Sequence, residues 1–302
     1  MASLRLVHVI VPLVAVASIG CSIDVRGSES SQREEKRFTL SGSEPAELSL
    51  RTFDGAIQVR SWDKNEVLVE IERRGPDQAS IDALTVNTSQ EGNRVVVEAQ
   101  APRGERRVIT FGNWVSSSVH LTVSAPRRIT LVARSGDGSI DASDFEGAVE
   151  LDSGDGRILA SRVEGRLKAH TGDGSILVDQ ATGQVDAESG DGSIEIAGRL
   201  SDLTVRSGDG RVRVEATDGS VMKGEWRLTT GDGSIRLSVP DGFNAEIDAH
   251  TGDGSIRVEG IDPPARQDRD RSDRRDLQGR LGSGGPVLRL RSGDGSIEVS
   301  RP

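Results

Sequence analysis

A short motif, Ser/Thr-Gly-Asp-Gly-x-Ile/Val, occurs eight times and constrains the fold more than any other feature of the chain. The Asp of the motif lies at positions 137, 155, 173, 191, 209, 232, 253 and 294, so the first four intervals are equal and the later three are longer and unequal. Around each copy, apolar and polar residues alternate with the period of a β-strand. A second turn in each repeat is marked by Gly147, Gly165, Gly183 and Gly219. Each repeat, here called a coil, is therefore predicted to be strand, Gly-Asp-Gly turn, strand and glycine turn.

One coil has a single apolar row per strand, so its core forms only when coils stack about 4.8 Å apart. The predicted fold is all-β, a parallel β-solenoid (β-helix) of about 18-residue coils with a degenerate N-terminal β region. Only 34% of residues are hydrophobic and 3% aromatic, which suits a thin core. We expect one internal ladder of Ile140, Ile158, Ile176, Ile194, Val212, Ile235, Ile256 and Ile297. We expect a facing ladder of Leu131, Val149 or Leu151, Leu167, Val185, Leu203, Leu228, Ile247 and Leu288, with Ala133, Ala169, Ala187 and Ala249 at narrower positions.

The N-terminus has the pattern of a secretory signal. Residues 1–20 carry one Arg and an apolar run, and small residues precede Cys21, the only cysteine. This resembles the lipobox of bacterial lipoproteins, which implies lipidation of Cys21. An ordinary secretory signal and an uncleaved N-terminal helix are the alternatives. Residues 21–36 are polar and are predicted to be a flexible tether.

The remaining chain divides into two parts. Residues 37–126 are predicted to be an N-terminal degenerate β-repeat or cap region, with a short helix near residues 77–84. Residues 127–302 hold the regular solenoid repeats, and the Pro- and Arg-rich segment 262–286 is predicted to be a disordered loop. Because the chain stops directly after its last predicted strand, an exposed edge there and end-to-end homo-oligomers are also expected.

The segments 55–62 (GAIQVRSW) and 121–126 (LTVSAP) and the repeated Ser-Gly-Asp-Gly-Ser-Ile units carry a family resemblance. They resemble bacterial envelope proteins grouped as putative adhesins with β-strand repeats, a family of unknown function. The resemblance covers nearly all of the chain after residue 20. It implies a repetitive β architecture at the cell envelope, and it carries no catalytic residues over to this sequence.

The Gly-Asp-Gly turns have two interpretations. In the structural one, the glycines take left-handed backbone angles and the Asp side chain hydrogen-bonds its own turn. The alternative is a weak calcium site, since stacked carboxylates repel one another unless cations lie between them. The glycines concerned are Gly136, Gly138, Gly154, Gly156, Gly172, Gly174, Gly190, Gly192, Gly208 and Gly210. The candidate cation ligands are Asp137, Asp155, Asp173, Asp191, Asp209, Asp232, Asp253 and Asp294.

Catalysis has few candidate residues. His170 and His250 each precede a Thr-Gly-Asp-Gly turn, but sister coils hold Glu188 and Arg206 at that position, so both histidines are interpreted as solvated strand residues. A polysaccharide-active β-helix enzyme remains a second alternative by architecture alone. Among the three tryptophans, Trp114 lies between strands as a cap residue or an exposed ligand contact.

The formal net charge of −10 argues against nucleic acid as a partner. The sequence therefore favours a non-enzymatic, lipid-anchored envelope protein with a structural or adhesin-like role and no required cofactor. Expected partners are the membrane, through the lipid, and an envelope protein or glycan. The expected location is extracytoplasmic, at the outer membrane or periplasm if the cell is Gram-negative.

Overall fold

The structure is a computed structural model, and it describes residues 22–26, 29–41, 44–101, 117–258 and 275–301. The described chain is all-β with one short helix, α1 (Gln78–Asp82), which Asp77 caps by accepting a hydrogen bond from the Ser80 amide at 2.7 Å. Among the described residues, no helix is both long and apolar enough to cross a membrane.

The middle of the chain forms the regular coils. Strands one coil apart pair in parallel, so that Ile140 lies beside Ile158, and Ile158 beside Ile176. This pairing offset equals the constant interval between the first five copies of the motif. The strands are β9 (Arg128–Ser135), β10 (Ile140–Ser143), β11 (Glu146–Ser153), β12 (Ile158–Ser161), β13 (Glu164–Thr171), β14 (Ile176–Ser189), β15 (Ile194–Ser207), β16 (Val212–Ala216), β17 (Trp226–Thr230) and β18 (Ile235–Ser238).

Both predicted ladders lie in the core, which also extends into the N-terminal strands. Every residue expected in them, and each of the four alanines, is at most 3% exposed, so their burial is confirmed. The place predicted for Leu228 is wrong, because Leu228 aligns with Val205, the register partner of Ala187, and Trp226 lies beside Leu288 in the facing ladder instead. Val149 is the register partner of both Leu131 and Leu167, whereas Leu151 aligns with Ala133 and Ala169. The facing ladder and the row of the four alanines are therefore separate, and Val149 and Leu151 each occupy one of them.

The second turn of each regular coil has a left-handed backbone. Gly147 and Gly165 have φ angles of +137° and +122°, as the glycine-turn prediction requires. Asp144 and Arg162 precede them with φ angles of +70° and +53°. Arg162 Nη2 donates to Asp144 Oδ2 at 2.7 Å, and this hydrogen bond lowers the pKa of the Asp144 carboxyl below its ordinary value.

The first coil in sequence lies second in the stack. Its strands lie between those of the residue 128–143 coil on one side and those of residues 94–126 on the other. Strand β3 (Ala46–Thr52) pairs with β9 and with β7 (Arg94–Gln100), and β4 (Ile57–Trp62) pairs with β10 and with β8 (Ser118–Pro126). After the first coil, the chain therefore forms the end of the stack with residues 94–126. It then passes the first coil again and continues on the other side with residues 128–143. These N-terminal strands are β1 (Ser22–Arg26), β2 (Glu29–Thr39), β3 (Ala46–Thr52), β4 (Ile57–Trp62), β5 (Glu66–Gly75), β6 (Thr85–Glu91), β7 (Arg94–Gln100) and β8 (Ser118–Pro126).

The predicted tether over residues 21–36 is wrong for most of its length. Strand β2 begins at Glu29 and pairs antiparallel with β5. Arg73 Nη1 donates to Glu34 Oε2 at 3.0 Å, and the hydrogen bonds from Arg73 and Lys36 outweigh burial to lower the pKa of Glu34. A polar segment therefore forms a strand here because its partner strand supplies both backbone hydrogen bonds and opposite charge.

The last coil in sequence is also enclosed. Strand β22 (Val287–Ser292) pairs with β17 on one side and with β19 (Ala245–Thr251) on the other, and β23 (Ile297–Ser300) lies between β18 and β20 (Ile256–Val258). The prediction of an exposed edge at the end of the chain is therefore wrong for residues 297–300. The C-terminal strands are β19 (Ala245–Thr251), β20 (Ile256–Val258), β21 (Asp276–Leu281), β22 (Val287–Ser292) and β23 (Ile297–Ser300).

The predicted disordered loop over residues 262–286 contains a strand. Strand β21 pairs antiparallel with β19 and places Leu281, 2% exposed, beside Ala245. Among residues 275–286, Leu281 is buried in the core and Leu277 is partly buried against it. Residues 262–274 of the predicted loop lie outside the described residues.

Candidate functional site: the turn edge and the Trp62 groove

The eight Gly-Asp-Gly turns stack into one row, here called the turn edge. In each of the eight motif copies, the buried Ser or Thr hydroxyl donates to a glycine carbonyl of the neighbouring turn. Ser189 Oγ, for example, donates to Gly174 O at 2.8 Å and accepts from the Gly192 amide at 3.0 Å. The hydroxyl, and not the Asp carboxylate, therefore ties each turn to its neighbour, and in six of the eight copies it also accepts from the glycine amide of its own turn. The expectation that Asp has this role is wrong.

The ten glycines predicted to need left-handed angles do not have them, so this reason for their presence is wrong. Glycine is required at these positions because neighbouring turns pack closely against each other. A Cβ built on Gly190 would lie 2.5 Å from Gly172 O, and one on Gly172 would lie 2.6 Å from Gly154 O. Each of the ten would bring a Cβ closer than 3.0 Å to a backbone carbonyl of the adjacent coil. Glycine is needed because any side chain would separate the stacked backbones.

All eight ladder aspartates are exposed on the turn edge. Their order in space differs from their order in sequence at one end, because the Asp294 turn stacks between the Asp232 and Asp253 turns. Among the residues that the structure describes, no three His, Cys, Asp or Glu side chains converge as a metal site would require. Asp253 Oδ1 lies 3.7 Å from Arg275 Nη1, so one end of the row has a cation from the chain itself.

The histidines are not brought together with a nucleophile and a carboxylate. His170 is exposed in register between Asp152 and Glu188, and His250 Nδ1 lies 2.7 Å from Asp276 Oδ1 at the surface. Both positions agree with their interpretation as strand residues.

One contact between a histidine and a serine was not anticipated from the sequence. His120 Nε2 lies 3.3 Å from Ser118 Oγ, while Nδ1 accepts from the Ala56 amide at 3.3 Å. Burial, with a smaller contribution from the Arg74 charge, lowers the pKa of His120. The backbone amide occupies the nitrogen that an orienting carboxylate would bind, so the pair lacks the geometry of a catalytic triad.

The three tryptophans have different environments. Trp226 is fully buried, and its ring centroid lies 5.3 Å from that of Phe243. Trp62 is half-buried at the end of β4, and Nε1 donates to Glu66 O at 2.8 Å. Trp114 and Cys21 lie outside the described residues.

Trp62 lines an open groove of about 340 Å³ near the N-terminal end of the stack. Sequence reasoning did not find this groove, because its residues come from three distant segments. We call it the Trp62 groove, and it is lined by Glu44, Pro45, Ala46, Trp62, Asp63, Lys64, Asn65, Pro126, Arg127 and Arg128.

Comparison with solved structures finds distant likenesses. A putative cell adhesion protein from Clostridium sporogenes is 12% identical, with 90% of this chain and 100% of that chain covered and a TM-score of 0.31. A putative adhesin from Bacteroides fragilis is 13% identical and a putative lipid binding protein from Parabacteroides distasonis is 12% identical. Each of these two covers 88% of this chain and 96% of that chain, with a TM-score of 0.41. These likenesses are too distant to support an inference about function.

No curated protein matches the chain. The family model described as Toastrack DUF4097 matches residues 21–199 and again residues 185–300, which together span nearly the whole chain after the N-terminal signal-like segment. The second match begins within the regular coils, as a repeated β architecture allows. The chain therefore belongs to the Toastrack DUF4097 family.

Proposed function

We propose that this chain is a lipid-anchored, non-enzymatic protein of the bacterial cell envelope, a β-solenoid of regular stacked coils with a structural or adhesin-like binding role. The single observation that carries the proposal is the turn edge, a row of exposed carboxylates on turns held by buried hydroxyls. Such a surface is rigid, extended and repetitive, which suits binding to another extended molecule. An envelope protein or a glycan is the expected partner.

The outward faces of the strands support a binding role over catalysis. Their charged residues pair across adjacent coils, as in Arg134 with Glu150 at 2.7 Å and Arg291 with Asp248 at 2.6 Å. Hydrogen bonds from Arg291 and Arg289 outweigh burial to lower the pKa of Asp248. Side chains that pair in this way stabilise the surface, and these pairs join acids to arginines rather than setting an acid and a base towards a common point.

Calcium binding at the turn edge is the second candidate function. It is favoured by the exposed like charges of neighbouring turns, which parallel strand pairing holds about 4.8 Å apart. Neighbouring carboxylates at this spacing could share a cation, although two carboxylates supply few of the six to eight oxygens that calcium prefers. Any such sites are therefore expected to be weak.

The lipid anchor is tested by replacing Cys21 with serine in the full chain expressed in a bacterium. Because the thiol is the acyl acceptor, we expect Cys21→Ser to abolish labelling by a radioactive fatty acid and to move the protein out of the membrane fraction. Ser22→Ala is the matched control and should retain both properties.

Fatty-acid labelling and membrane association that persist in Cys21→Ser would contradict the lipid anchor.

The non-enzymatic role is tested on the purified full chain with a panel of neutral and acidic polysaccharides. Release of reducing or unsaturated ends by the wild-type protein would favour the β-helix enzyme instead.

A further inference from the structure

We infer that the Trp62 groove binds a sugar ring of a surface glycan. This inference goes beyond the proposed function, because it adds a ligand class and a second binding surface, none of whose lining residues belongs to the turn edge. The groove volume of about 340 Å³ lies within the range of small-molecule sites, and the groove is open enough for a chain to continue beyond the bound ring.

The groove has an aromatic platform whose orientation is fixed. The hydrogen bond from Trp62 Nε1 to Glu66 O holds the indole by its edge and leaves its faces for packing. Pro126 is the register partner of Trp62 on the adjacent strand, and Pro45 also lines the groove. Indole and proline rings offer flat apolar surface of the kind that packs against the C–H face of a sugar.

One face of the indole is covered by a group that can move. Lys64 Nζ lies 4.6 Å from the ring centroid, and the Lys64 side chain is 61% exposed. Its contact with Glu66 is long, at 3.8 Å, and exposed cation–π contacts are weak. A sugar can therefore displace the ammonium group at small cost.

The polar rim contains both donors and acceptors. The carboxylates of Glu44 and Asp63 can accept hydrogen bonds from sugar hydroxyls, and the guanidinium groups of Arg127 and Arg128 can donate to them. Arg127 has a distant partner, Glu164 at 3.9 Å, and Arg128 has no ion-pair partner among the described residues. An apolar platform with such a mixed rim matches a polyhydroxylated ring better than a purely anionic or purely apolar ligand.

The test is titration calorimetry of the full chain with three probes: chitotetraose, maltotetraose and a hyaluronan tetrasaccharide. We expect the wild type to bind at least one probe and Trp62→Ala to weaken that binding about tenfold. Trp62→Phe keeps a ring and should restore most of the affinity, and it also serves if the alanine variant folds poorly. Arg213→Gln, an exposed arginine on β16, is the control and should bind as the wild type does.

The variant Arg128→Gln distinguishes an acidic glycan ligand from a neutral one. A larger loss for the hyaluronan tetrasaccharide than for a neutral probe identifies an acidic glycan, and an equal loss identifies a neutral one. The inference is overturned if no probe binds, or if a folded Trp62→Ala variant binds like the wild type. In the second case glycan binding lies elsewhere on the protein, so the site fails while the proposed binding role stands.

Discussion

Replacing Gly190 with alanine is expected to lower the free energy of unfolding by about 3 kcal/mol. The added methyl group would lie 2.5 Å from Gly172 O, and that oxygen belongs to a backbone held between two other coils. The clash therefore cannot be relieved by rotating a side chain, and the stack itself has to open. Urea unfolding followed by circular dichroism measures the change, provided that the m-value is unaltered.

Gly224→Ala is the matched control for this prediction. A Cβ on Gly224 would meet only Asp202 Oδ1, at 3.2 Å, and a carboxylate on a surface side chain can move. We expect this variant to stay within about 0.5 kcal/mol of the wild type. Equal stability of the two alanine variants would show that the turns are not packed as closely as described here.

Replacing Ser189 with alanine is expected to cost about 2 kcal/mol. Ser189 is 2% exposed, and its loss leaves the Gly192 amide and the Gly174 carbonyl without the hydroxyl that they share. Ser193, in the same turn, is exposed, so Ser193→Ala should change the free energy of unfolding by less than about 0.5 kcal/mol. Denaturant unfolding compares the two variants directly.

Threonine should substitute for serine at this position. Thr171 and Thr251 occupy the equivalent place in their coils and make the same hydrogen bond to a neighbouring glycine carbonyl. Ser189→Thr is therefore expected to keep most of the wild-type stability. If Ser189→Ala were as stable as Ser193→Ala, the buried Ser and Thr hydroxyls of the turn edge would not be a source of stability.

The regular coils could be predicted from sequence because their information is local. The constant interval of the first five motif copies equals the pairing offset, and alternation around each motif identifies the buried rows, as at Ile158 and Leu167. The role of Ser189 and its equivalents was also present in the sequence, since every motif copy begins with Ser or Thr. That signal was overlooked because the aspartate was the more prominent polar residue.

The ends of the stack could not be predicted in the same way. The spacing of the motif copies does not predict that β22 inserts between β17 and β19, because this insertion depends on pairing between segments that are distant in sequence. The long interval between the last two motif copies indicates where the regular repeat is interrupted, but it does not indicate which strands the last copy pairs with. The Trp62 groove was missed for the same reason, since Pro45, Trp62 and Pro126 meet only after the N-terminal chain folds back.

The most direct test of whether the Gly-Asp-Gly repeat is architecture or a metal site is thermal unfolding of the full chain in EDTA and in millimolar calcium. Wild type is compared with Asp173→Asn and Asp191→Asn, two neighbouring exposed carboxylates of the turn edge. Because hydroxyls and close backbone packing hold the turns, we expect the same unfolding midpoint in both solutions and only small changes in the variants. A ligand at 100 times its dissociation constant stabilises a protein by about 2.7 kcal/mol, which shifts the midpoint visibly. A large upward shift in calcium that either variant abolishes would contradict this account and make the aspartates a cation site.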